Sequence, residues 1–336
     1  MSNKKSIRDQ IKHIPGAVRI YRALRPQAQN SSQAGQGLSF VKEAIVSQTL
    51  KSIEGQITDL SSQDELYEKL RYLGLTNFGI VMLTMPNPDF PKISGILPRM
   101  ASEETQMQWT GSAGISLLTQ TIEFVRSVAF NFCKFTGEPL ENKTVLDFGC
   151  GYGRIARLMY FLTSTDNFFA VDPWNRSIET CNAQGLTKNF LLSNWWPTDL
   201  PTGQRKFSLI YAFSVFTHLS EMAARIALTT LLRHLEPNGL LVITIRPVEY
   251  WYWDKYTNDR KMSVYQVATH NQEGFSFLPY DQGGIRDYGE TSMTPAWIES
   301  NFPSAEILGL DKSISDPAQI YVFMRNIDSA PKLVTA

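Results

Sequence analysis

The stretch Val145-Leu146-Asp147-Phe148-Gly149-Cys150-Gly151-Tyr152-Gly153-Arg154 constrains what this chain can fold into more than any other. Thr144 to Phe148 is a short apolar run that reads as a buried strand. Three glycines at alternate positions then open a helix through Ile155, Ala156, Leu158 and Met159. Such a turn lets backbone N–H groups at a helix N-terminus approach a ligand that side chains would block. Asp147 at the strand end sets it apart from the dinucleotide fingerprint, which also wants its third glycine one place later. The next apolar run, Phe168 to Val171, ends in Asp172. An acid at that strand tip is placed for a ribose diol.

Downstream, strand and helix alternate, which predicts a mainly parallel sheet with helices on both faces. A helix over 175–184 is followed by strands at 190–192, 207–213 and 240–245, with Ser220 as the N-cap of a helix reaching His234. Strand ends at the carboxyl side of such a sheet face the ligand crevice, which places Phe213 and Ser214 beside the ligand. Residues 246–291 interrupt the alternation with an aromatic-dense segment that includes Tyr250, Trp251, Tyr252, Trp253, Tyr256, Tyr280 and Tyr288. It reads as an acceptor-binding cap, or else as a satellite core or dimer contact. Two strands, 305–310 and 320–324, close the pattern.

Ahead of this lies a helical extension. Residues 1–39 form a basic arm and linker in which Lys4, Lys5, Arg8, Lys12, Arg19, Arg22 and Arg25 face one acid, Asp9. Its amphipathic spacing suits an arm docked on its own or a partner protomer, or peripheral contact with a membrane surface. Residues 40–110 are read as helical: one helix on Val46, Leu50, Ile53, Ile57 and Leu60, a second on Leu66, Leu70 and Leu73 ending at Gly74. The four-three spacing also suits a homodimer seam. Met85 to Pro98 is too rich in proline to be regular throughout. Residues 111–336 form the α/β domain, opening with an amphipathic helix on Ile115, Leu118, Ile122, Val125, Ala129 and Phe132.

The glycine motif with Asp147 and Asp172, followed by this strand order, resembles the class I S-adenosylmethionine (SAM) methyltransferases over roughly two-thirds of the chain. The resemblance implies a Rossmann-like sheet with its last strand antiparallel, and SAM as cofactor. It implies a SAM site of Asp147, Gly149, Cys150, Gly151, Gly153, Asp172 and Pro173, with Asn194 and Trp195 at the adenine and Phe213 and Ser214 at the methionine. Trp109, ahead of the amphipathic helix, lines the SAM pocket or is a buried structural tryptophan. More narrowly, Trp109-Thr110-Gly111, Val215-Phe216-Thr217-His218-Leu219 and Tyr288-Gly289-Glu290-Thr291 resemble bacterial methyltransferases of sugar and cell-surface glycan biosynthesis.

The expected reaction is methyl transfer to a hydroxyl of a small polar acceptor, with no metal, since 211–219 holds no carboxylate ligand. His218, alone among four histidines beside the expected methyl donor, is either the general base or a structural helix-start residue. An aromatic natural-product acceptor and a catalytically silent SAM-binding scaffold stay open as alternatives. Lys and Arg total 32 against 32 Asp and Glu, a balance that gives no push toward nucleic acid. Three cysteines in apolar or motif contexts and no transmembrane-length run lead us to expect a cytoplasmic protein.

Overall fold

The helices that precede the sheet are built on it rather than beside it. Helix α1 (Ala44–Gln56) buries Val46, Leu50 and Ile53, and α2 (Gln63–Arg71) starts at a capping box in which Ser62 and Glu65 each hold the other's backbone N–H. α1 stops at Gln56, short of the Ile57 that its spacing predicts, and Leu60 lies outside the described residues. The second helix stops at Arg71, and Gly74 takes the left-handed turn after it, at φ +73°. Gly74 also opens α3 (Gly74–Leu83), whose Phe78, Val81 and Met82 are fully buried. That helix is apolar nearly all round and so leaves no amphipathic signature. Helix α4 (Pro91–Ile96) begins on Pro91 within the proline-rich stretch. Helix α5 (Glu103–Thr110) is capped by Ser102 and carries Trp109 in its last turn.

Helix α6 (Gly114–Thr136) follows the predicted pattern and buries Leu118, Ile122, Val125 and Phe132. One apolar cluster runs from Val46 through Tyr67 and Phe78 into Leu158, Phe168 and Phe323 of the α/β part. Tyr67 stacks on Tyr160 with ring centroids 5.0 Å apart. Each such side chain withdrawn from water contributes roughly 1.5–3 kcal/mol. Leu50→Ala would therefore cost about 2–5 kcal/mol once the cavity left behind is included.

The sheet is assembled from short apolar runs covered on both faces: β1 (Val145–Phe148), β2 (Phe168–Asp172), β3 (Phe190–Leu192), β4 (Phe207–Ala212) and β5 (Leu235–Ile245). Between them lie α7 (Arg154–Met159), α8 (Asn175–Ala183) and α9 (Glu221–Arg233). Ser220 caps α9 as predicted, accepting from Ala223 N. The fifth strand starts earlier than its sequence suggests, because Leu235 already pairs with Phe207 before the chain bulges out and re-enters at Leu240.

The 246–291 segment is not a loop. It holds a 3-10 turn (Val248–Tyr252), α10 (Arg260–Glu273) and a separate hairpin of β6 (Phe275–Pro279) with β7 (Gly289–Met293). Then come α11 (Pro295–Asn301), β8 (Ala305–Lys312) and β9 (Ile320–Asn326). The strand order is β3-β2-β1-β4-β5-β9-β8, parallel except for β9, which runs antiparallel to both neighbours. That is the Rossmann-like methyltransferase sheet with its reversed last strand. The strand order turns back at β1 and β4, so the carboxyl ends of those strands open a crevice.

The computed structural model describes residues 39–58, 62–252, 260–280 and 287–329, with the side chains of 260–263 left out. Most of the basic arm, together with Trp253 and Tyr256, lies outside the described residues.

Candidate functional site

A cavity of about 510 Å³ occupies that crevice. The glycine turn, the tips of β2 to β5, α5 and the β8–β9 turn all contribute to its wall. Asp147, Gly149, Cys150, Gly151, Asp172, Pro173, Asn194, Trp195, Phe213, Ser214, Trp109 and His218 all line it. Gly153 does not. It sits at φ +74°, and a Cβ there would meet Leu186 Cδ1 at 2.4 Å, so this glycine serves the packing of the turn on the chain behind it. Gly151, at φ +56°, is the close-approach position: the nearest atoms to a Cβ are those of the Trp109 ring, at 3.6 Å. Trp109 is half-buried over the glycine turn, with its ring edge-on to Tyr152 and Trp174.

Asp172 is positioned by backbone. Its Oδ2 accepts from Gly151 N and its Oδ1 from Trp174 N, both at 2.9 Å. Burial pushes its carboxyl above the usual range, against those two N–H groups. Each oxygen keeps a lone pair that a diol could meet. Asp147 is 2% exposed and its Oδ2 has no hydrogen-bond partner. The Tyr211 hydroxyl stands next to this carboxyl without closing a sound bond to it. Burial raises Asp147 to about 7.

The turn itself is pinned by Arg157, a fully buried cation. Its guanidinium donates to Tyr152 O and Gly153 O, and also to Arg99 O and Gln184 Oε1. The helical extension is thereby tied to the glycine turn. Beside Asp172, Trp174 lines the cavity with centroids 5.9 Å from both Trp195 and Tyr288. Its place two residues past the strand-tip acid was a signal in the sequence that went unused.

The other end of the cavity is polar and held by side chains. Arg246, at the end of β5, donates to Thr217 O at 2.8 Å and to Glu290 Oε2, and its guanidinium lies 4.2 Å over the Tyr250 ring. Tyr250 and Tyr280 also donate their hydroxyls to Glu290. Burial, the largest single influence, would raise the Glu290 carboxyl, but Arg246, His218 and the two tyrosine hydroxyls together outweigh it and hold it below its ordinary value. His218 Nδ1 is 2.7 Å from Gly289 O, and since a carbonyl only accepts, Nδ1 carries the proton. Nε2 is then left to accept from Arg246 Nη2 at 3.3 Å. Burial and the Arg246 charge lower His218 to about 4.

This arrangement bears on two expectations, the role of His218 and the aromatic cap. His218 lines the cavity, but its basic lone pair faces a guanidinium, and an imidazole lowered this far is a weak proton acceptor at neutral pH. Trp251, a motive for the cap, is 1% exposed and does not line the cavity. Its Nε1 donates to Ser292 Oγ, and it packs with Tyr250 and Ala318 in a satellite core. Among the described residues of the 246–291 segment, it is Arg246, Tyr250, Tyr280, Tyr288 and Glu290 that reach the cavity. Gln319, from the β8–β9 turn, donates to Ser214 Oγ at 3.1 Å and had no signal in the sequence. Arg246 did have one, since it ends a strand whose tip faces the crevice.

A family model described as a methyltransferase domain matches residues 122–279. No curated protein matches the chain. Among solved structures, the chain is similar to an S-adenosylmethionine-dependent methyltransferase from Clostridium acetobutylicum (14% identity, 62% of this chain and 90% of that one, TM-score 0.41). It is similar to DesVI of Streptomyces venezuelae (14% identity, 63% and 93%, TM-score 0.42). A third is the magnesium protoporphyrin IX methyltransferase of Synechocystis PCC 6803 (15% identity, 67% and 93%, TM-score 0.42). By its strand order the chain has the Rossmann-like methyltransferase fold, and over residues 122–279 it is similar to a methyltransferase domain.

Proposed function

We propose that this protein moves a methyl group from SAM to a hydroxyl of a small polar acceptor, a sugar or glycan. One observation carries the reading: a single cavity joins the glycine turn and Asp172 to a neutral, hydrogen-bonding end lined by Tyr250, Tyr280, Tyr288, His218 and the Arg246–Glu290 pair. The residues present fit the cofactor. Asp172 offers lone pairs to the ribose, Gly151 leaves the backbone open, and the unpartnered Asp147 oxygen favours a cationic neighbour. When bound, SAM supplies a methyl group on a sulfonium, open to in-line displacement.

What the chain adds is mostly positioning. Trp109, Trp174 and Trp195 wall the adenosine end, while flat tyrosine rings offer apolar faces and hydroxyl edges to an acceptor. His218 is assigned to orienting the acceptor end, with proton acceptance only to the extent that Arg246 releases Nε2. We keep metal-independent transfer within the proposal: among the described residues no group of three His, Cys, Asp or Glu side chains is arranged to hold a metal ion. Nor is any described helix long and apolar enough to cross a membrane.

The test is a screen with methyl-labelled SAM against free sugars, nucleotide sugars and glycans, with aromatic natural-product acceptors in parallel. Label in a saccharide with release of S-adenosylhomocysteine is the expected result. Label only in the aromatic set would replace the sugar reading. SAM binding without turnover on any acceptor would point to a silent scaffold.

A further inference from the structure

We infer that the Tyr288 hydroxyl holds the reacting hydroxyl of the acceptor by a hydrogen bond, a subsite that rests on the sugar reading above. Tyr288 lines the cavity and joins its two ends. Its ring centroid is 5.9 Å from that of Trp174 on the donor wall and 5.7 Å from that of Tyr280. The ring also stacks on His218, at 5.3 Å and 22° between planes. The backbone fixes this residue from two sides. Tyr288 O accepts from Tyr280 N at 3.0 Å, an antiparallel bridge joins Tyr288 to Leu219, and the preceding Asp287 O accepts from Ser220 N at 3.0 Å. A ring clamped in this way is in place before any acceptor arrives, as close positioning requires.

The polar groups around it are already spent on one another. Tyr250 and Tyr280 donate to Glu290, and Arg246 donates to Glu290 and to Thr217 O. His218 uses Nδ1 on Gly289 O and Nε2 on Arg246. Within this cluster it is the Tyr288 hydroxyl that makes no hydrogen bond to a described residue. Burial, then the carboxylates of Glu290 and Asp172, push its phenol well above the usual range, so it stays protonated at neutral pH. A protonated phenol can accept the acceptor's O–H without removing the proton, which leaves an oxygen lone pair free for the methyl group. In the transfer the new C–O bond forms as the C–S bond breaks, the electron pair stays on sulfur, and the hydroxyl proton leaves to water.

The test compares wild type with Tyr288→Phe, which removes the hydroxyl and keeps the ring on His218. Methyl-labelled SAM is supplied with methyl α-D-glucopyranoside, methyl α-D-mannopyranoside, methyl α-L-rhamnopyranoside or UDP-glucose, and SAM affinity is read separately by calorimetric titration. On the saccharide that wild type labels, Tyr288→Phe is expected to lower kcat/KM by about 10- to 100-fold, mostly through kcat, the scale of a lost hydrogen bond with a misplaced reacting group. SAM affinity and the thermal transition should stay as in wild type, which also shows that the variant is folded. Equal kcat/KM in the two proteins overturns the assignment. So does a loss confined to SAM affinity, which would move this hydroxyl to the ribose beside Asp172. If wild type labels no saccharide, the sugar reading falls and this subsite with it, a result that wild type alone tells apart from the other two.

Discussion

The two ends of the cavity are built by different means. The donor end is backbone: the glycine turn, the tips of β1 and β2, and an aspartate fixed by two main-chain N–H groups. Its parts are close in sequence, and each is placed by local geometry. The acceptor end is side chain: Arg246, Glu290, Tyr250, Tyr280 and His218 come from the residue after β5, β7, a 3-10 turn, the residue after β6 and the chain after β4, and hold one another by hydrogen bonds. A backbone-built site should lose ligand when altered yet keep its fold. A side-chain-built one should lose stability first.

The largest expected effect tests the donor side of that contrast. Gly151→Val forces a branched residue into φ +56° and fills the space under Trp109, so SAM binding should disappear from calorimetric titration while the fold survives a backbone strain of about 1–3 kcal/mol. Retained binding would break the contrast at once. Next comes Glu290→Gln, which leaves Arg246 charged and buried without its counter-ion. A loss of about 3–5 kcal/mol in denaturant unfolding is expected. The double variant Arg246→Met with Glu290→Gln should be less destabilised than the two losses added together.

Asp172→Ala removes two acceptors from the ribose position. It should weaken SAM by about 1–3 kcal/mol in the same titration, with residual binding from the aromatic walls. The smallest effect is assigned to His218. His218→Asn should lower turnover by less than the roughly 10²-fold at the lower edge of full base catalysis. It should also change the acid profile of stability. The folded-state pKa of His218 is depressed to about 4 from 6.5, so between those values the unfolded chain binds more protons. The histidine's contribution therefore falls as pH drops from 6.5 to 4. Asp147, raised from 3.8 to about 7, acts in the opposite sense and loses its contribution as pH rises through that window. Urea titrations of His218→Asn and Asp147→Asn across pH 4–7 should therefore shift with opposite slopes. Slopes of one sign would show that burial is not what sets these two groups.

The sequence by itself determined the sheet. Val145 to Phe148, Phe168 to Val171 and Phe207 to Ala212 are buried strands because such short, largely apolar runs between helices are buried in a covered sheet, and Asp147, Gly151 and Asp172 stand at the ends of the first two. It also placed Ser220 and the α6 stripe, since caps and helical spacing are local rules. It passed over α3, because a helix apolar on nearly every side has no period to detect. Only the tertiary structure decided the rest. It brought Gln319 to Ser214 across 105 positions and put Trp251 in a satellite core. It also turned His218 toward Arg246, which sets that imidazole's acidity. Strand-tip chemistry is written in neighbouring residues, whereas a side chain's charge state depends on what folding packs against it, and those partners are distant in the chain.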